Sequence, residues 1–86
     1  MEGSVGEVRL FAGTYTPKNW ERCKGQEVEI DKYKHLYSVI GTKYGGDGAN
    51  TFKIPQIDPA VGADTPTPYD DLHYIICYQG EIPERG

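Results

Sequence analysis

Apolar and polar residues alternate near the start of the chain. Val8, Leu10 and Ala12 alternate with polar Glu7 and Arg9, Phe11 takes the opposite side, and Gly6 and Gly13 bracket the run. A period of two predicts a β-strand. Residues 14–19 hold Pro17 and turn formers and read as a loop. Residues 20–23 form a second short strand candidate. Lys24-Gly25 follows as a turn, then Val28 and Ile30 alternate with glutamates over 26–30. The two segments together predict a hairpin.

The period then changes. Tyr33, Leu36, Tyr37 and Ile40 recur at i, i+3, i+4 and i+7, the apolar stripe of an amphipathic helix. The helix is placed over 31–41, with Asp31 as its cap and Gly41 supplying the left-handed end. About three turns are too few for stability alone, so the stripe must pack on a sheet. Residues 42–51, TKYGGDGANT, hold three glycines within four positions, a composition for tight turns. Phe52-Lys53-Ile54 alternates again before Pro55. Residues 58–69, DPAVGADTPTPY, form a proline-rich connection without periodicity. HYIICY (73–78) is a dense β-branched and aromatic run, ended by Gln79-Gly80, and reads as a central strand buried on both faces. The resulting expectation is an α+β fold: one domain over 1–86, a small, mostly antiparallel sheet and one packed helix.

Composition narrows the functions. Eighty-six residues bury only roughly 60–65% of the surface of the unfolded chain, and small cores often gain burial by oligomerisation. Nine basic against thirteen acidic side chains give a formal charge of −4 without a basic cluster. Phosphate-backbone binding needs such a cluster, so no nucleic-acid polymer is expected as a partner. No apolar run reaches the length of a membrane span, and residues 1–4 lack the features of a signal peptide. Synthesis in a host cytoplasm follows as the expectation. Cys23 and Cys77 lie too far apart in sequence for a zinc ribbon or a redox pair, and read as free thiols. A bridge between them would require neighbouring strands.

The segments GEVRLFAGTYTPKNWERCKGQ (6–26), LYSVIGTKYGGDGANTFKIP (36–55) and HYIICYQGEIP (73–83), in this order, resemble the phage tail collar domain family, which also includes the microcystin-dependent proteins. The combination is specific: strand plus FAG, W-x-x-C-x-G-Q, LxSxxGxxYGGDG, TFxxP and a terminal YII-x-x-QG. The resemblance implies a tail-collar-like fold. It also implies a structural or assembly role in a phage or prophage tail, a homo-oligomer that is a trimer in the family pattern, a tail fibre protein as partner, and a place in the virion. The chain departs from the family in three places. Gln56 to Ala60 replace an LRGR-like segment, residues 58–69 replace a longer glycine-rich insert that often carries His-x-His, and only five residues precede the first matching strand. A short stand-alone member is expected, and no metal site is carried over.

Candidate chemistry is sparse. Cys23 with His35 or His73 is the only conceivable thiol–imidazole pair, and no third orienting group accompanies it. No catalytic residues, enzyme activity or cofactor are expected. The feature most like a binding loop is Tyr44-Gly45-Gly46-Asp47-Gly48. Its backbone N–H groups could form an anion nest, but no Lys-Ser or Lys-Thr follows to make it a nucleotide P-loop. Tyr44 could stack on a ligand while Asp47 accepts from its donors. Trp20 is either core or an anchor. A second functional reading is therefore a soluble phage protein that sequesters a small molecule, such as a nucleotide immune signal. A third is a carbohydrate-binding surface protein that stacks sugars on Trp20 and tyrosines.

Overall fold

A computed structural model describes residues 2–58 and 72–84. The proline-rich connection over 58–69 lies, apart from Asp58, outside the described residues. The described residues form strands β1 (Val8–Phe11), β2 (Trp20–Arg22), β3 (Glu27–Glu29), β4 (Thr51–Lys53) and β5 (His73–Cys77), with one α-helix, α1 (Lys34–Ile40), between β3 and β4 in sequence. The fold is α+β and its strand pairs are antiparallel, as expected.

The strands divide into two sheets, β1-β5-β2 and β3-β4. The predicted hairpin of β2 with β3 does not form. β2 pairs with β5, Trp20 opposite Cys77, and β3 pairs with β4, Val28 opposite Phe52. The Lys24-Gly25 turn instead carries the chain from one sheet to the other. Gln26 holds it by accepting from the Lys24 N–H at 3.0 Å and donating to the Arg22 carbonyl at 2.7 Å. Periodicity identifies strands but says nothing of which neighbour they choose.

β5 is the middle of the three-stranded sheet and is covered on both sides. Ile76 belongs to the main core with Val5, Cys23, Leu36, Phe52 and Ile54. Ile75 and Cys77 face the other way and form a second cluster with Trp20, against which Phe11 packs. The helix stripe covers the main core as its spacing requires: Leu36 is fully buried, and Tyr33, Tyr37 and Ile40 pack around it. Their polar tips find partners, the Tyr33 hydroxyl on Glu21 Oε2 at 3.0 Å and the Tyr37 hydroxyl on the Gly48 carbonyl at 3.3 Å.

The helix start differs from the expectation. Residues Ile30–Lys32 form a 3-10 turn, and the α-helix begins at Lys34 with Tyr33 in the cap position and no side-chain capping bond. Asp31 caps nothing because it lies inside the tighter turn. Gly41 does end the helix, but not in the expected left-handed helical conformation: its φ of 56° is combined with a ψ of −143°, a region open almost only to glycine.

The two cysteines are free and buried. Their strands are neighbours, yet the register forbids a bridge. The Cys23 N–H donates to the Tyr74 carbonyl, which puts Cys23 on the main-core face, whereas Cys77 sits opposite Trp20 on the other face.

Candidate functional site

The glycine loop between α1 and β4 is built from its backbone. Gly45, Gly46 and Gly48 all have positive φ, at 125°, 101° and 75°, angles that side chains with a Cβ rarely adopt. These turns fold the loop back on β4, where the Lys53 N–H donates to the Gly45 carbonyl and the Gly48 N–H to the Thr51 carbonyl, each at 3.0 Å. The convergent backbone donors are not those of residues 44–48 but the N–H groups of residues 49–51, and the chain fills them itself. Asp47 Oδ1 accepts from the backbone N–H groups of Ala49, Asn50 and Thr51 at 2.8, 2.8 and 3.0 Å. These three donors, Asn50 and Thr51 foremost, hold the Asp47 carboxyl down at about 2. A carboxylate this committed organises its own loop, and an isolated acid with so low a pKa is a poor general base at neutral pH.

Tyr44 projects from this loop with 45% of its surface exposed. The Lys43 ammonium lies 5.7 Å from its ring centroid, within cation–π range. The adjacency of Lys43 to Tyr44 in the sequence is the signal that points to this pair. Trp20 is not part of this site. It is 2% exposed, lies on the far face of the three-stranded sheet, and has Gly3 against its ring and the Arg9 guanidinium 5.3 Å from its centroid. The ring is core and offers no open stacking platform, which removes the basis for stacking sugars on it.

Beside the covered edge of Trp20 lies an open cleft of about 680 Å³, between the N-terminal segment and residues 79–81. Glu7, Arg9, Lys18 and Glu81 line it with mixed charge. Glu7 is already engaged: it accepts from Arg9 Nε and from the Ser4 N–H, and both bonds lower its pKa.

Neither thiol is poised for nucleophilic chemistry. Burial pushes Cys23 up to about 11 and raises Cys77 as well, so both are protonated at neutral pH. His35 is exposed on the helix. No group of three or more His, Cys, Asp or Glu side chains able to hold a metal occurs among the described residues. No helix among them is long and apolar enough to cross a membrane.

The surface feature that the pattern of residues did not expose is an apolar strip. Val8 and Leu10 share a sheet face with Ile76 and Tyr74, their register partners, and so point to the main-core side. On this face Ile76 of β5 is buried, but β1 is not. Val8 and Leu10 are left 38% and 48% exposed, and Val39 on the helix, against Gly6, is 37% exposed. In the sequence these positions look like core, because alternation cannot say how far the covering layer reaches.

The sequence profile of the phage tail collar domain matches residues 6–61. That span runs from β1 through the helix and the glycine loop to just beyond β4. No curated protein and no solved structure matches the chain. The profile covers well over half of the 86 residues, and the chain belongs to the phage tail collar domain family.

Proposed function

We propose that this protein is a non-enzymatic structural or assembly module of a phage tail, a single collar-like domain over residues 1–86 that works as a homo-oligomer. Family membership supports the tail association. The observation that carries self-assembly is the exposure of Val8 and Leu10 on the main-core face of the sheet, and of Val39 on the helix. Exposed apolar surface next to a small core gains from a partner. A trimer, a tail fibre protein as the next component and residence in the virion are what the family pattern implies. Native mass spectrometry on undenatured protein tests the reading. A discrete oligomer of bare chains supports it, and a strict monomer at micromolar concentration rules it out.

A second reading, capture of a small anionic aromatic molecule such as a nucleotide signal, is favoured by one observation: Tyr44 presents an open ring with the Lys43 ammonium beside it. Gly45, Gly46, Asp47 and Gly48 would act there by holding the turn. A discrete extra mass on the native protein, lost on unfolding and absent from a Tyr44→Ala variant, is the result this reading requires.

A further inference from the structure

β1 is an edge strand. It pairs with β5 on one side only, and among the described residues no strand lies along its other side. Such an edge presents unpaired N–H and C=O groups to any chain that can match them. The residues that carry them follow from the ladder. The Cys77 N–H donates to the Glu7 carbonyl, so position 7 faces β5, and alternation of the antiparallel ladder turns the backbone groups of Val8 and Leu10 outward. These are the same two residues whose side chains form the exposed apolar strip. Among the described residues, one strand thus offers backbone groups without a ladder partner and exposed apolar side chains at the same positions.

We propose that β1 pairs edge to edge with β1 of a second copy of this chain, antiparallel about a two-fold axis at Val8. The choice of register rests on charge. With Val8 opposite the second copy's Val8, Glu7 stands opposite Arg9 and Arg9 opposite Glu7, two cross-strand pairs of opposite sign. Shifting the axis to Arg9 would place the two Arg9 side chains against each other, which is unfavourable for directly opposed residues. Gly6 itself lies before the strand, in a turn whose N–H is bound to the Cys77 carbonyl, so the ladder is short and Leu10 of each copy comes toward the turn of the other, beside which Val39 lies. Val8 is then covered at the centre of the contact, with Leu10 at its margin. Glu7 and Arg9, already partners within one strand, become a four-member charge cluster on the opposite face of the joined sheet.

This contact rests on the self-assembly reading above and specifies one interface within it. It predicts dimers, or even-numbered assemblies such as two joined trimers. The test is oxidative cross-linking of two single-cysteine additions, Val8→Cys and Leu10→Cys, followed by non-reducing electrophoresis. The native thiols are buried, and a wild-type control shows that they stay silent. Across a two-fold axis at Val8 the new thiols at position 8 face each other with Cα atoms roughly 5.5 Å apart, within disulfide reach. Those at position 10 lie four residues out of register. The expected result is a disulfide-linked pair for Val8→Cys and single chains for Leu10→Cys. Equal cross-linking of both variants, or of neither, overturns the proposal. Charge supplies a second readout that does not depend on cysteine. Arg9→Glu should weaken the dimer roughly tenfold by making both cross-strand pairs repulsive, and the exchanged variant Glu7→Arg/Arg9→Glu should restore it. Weakening that the exchange does not rescue overturns the register. Native mass separates the two levels of inference: a trimer alone removes this contact and leaves self-assembly standing, whereas a monomer removes both.

Discussion

Gly46 lies so close to the backbone of Phe52 that a Cβ added to it would fall 2.3 Å from the Phe52 Cα. The glycine loop is thereby locked onto β4, directly above a fully buried core ring. Backbone cannot retreat as a side-chain tip can, and φ at Gly46 is 101°. Gly46→Ala should therefore cost about 2–4 kcal/mol, by steric clash and backbone strain together. Gly41→Ala is the comparison without a clash: nothing lies within 4 Å of the added Cβ, so only the backbone strain of φ 56° and ψ −143° remains, about 1–3 kcal/mol. Urea unfolding of both variants measures the difference.

Asp47 makes stability depend on acid. Its folded pKa is depressed to about 2 from 3.8, so the unfolded chain takes up this proton first as pH falls. Its contribution is present in full above about pH 4 and is lost as pH drops toward 2. Melting temperatures of the wild type should fall across that window, and the Asp47→Asn variant should lack this part of the decline. Parallel curves for the two proteins would show that the carboxylate does not hold the loop.

Both cysteines should be silent in the folded protein. Cys23 is pushed up to about 11 by burial, and Cys77 is raised for the same reason. A thiol reagent at neutral pH is expected to label neither thiol in the native state and both of the two cysteines after unfolding. No intramolecular disulfide should form under oxidation, since the thiols point to opposite faces of the sheet.

Trp20 and Tyr44 separate stability from recognition. Trp20→Ala removes the centre of the second core cluster and should cost about 3–5 kcal/mol, as large-to-small core changes do. Tyr44→Ala removes an exposed ring and should change stability by no more than about 0.5 kcal/mol. Denaturant unfolding measures both. The Tyr44 variant is then a folded reagent for testing ligand capture.

Much of this architecture is readable from the chain. Tyr33, Leu36, Tyr37 and Ile40 announce the helix and its buried face, because an apolar stripe at a period near 3.6 has no stable place except against a core. HYIICY announces a strand covered on both sides, since adjacent apolar residues on a strand point to opposite faces. The glycines of residues 45–48 announce a tight connection, and their positive φ values explain why the residue type is needed there. Family membership is legible too, in the order of short motifs along one strand, helix and loop.

Tertiary structure decided the rest, for one physical reason: pairing and covering are relations between distant segments, and local patterns do not encode them. β2 chose β5 over its sequence neighbour β3. That choice sent Trp20 into a core, turned Cys23 and Cys77 to opposite faces and left β1 at an edge. Asp47 found its donors within its own loop, which only the folded turn brings around it. Val8 and Leu10 carry the alternation of a core strand and stand exposed, because how far the covering layer reaches is set by distant segments and not by the strand's own pattern.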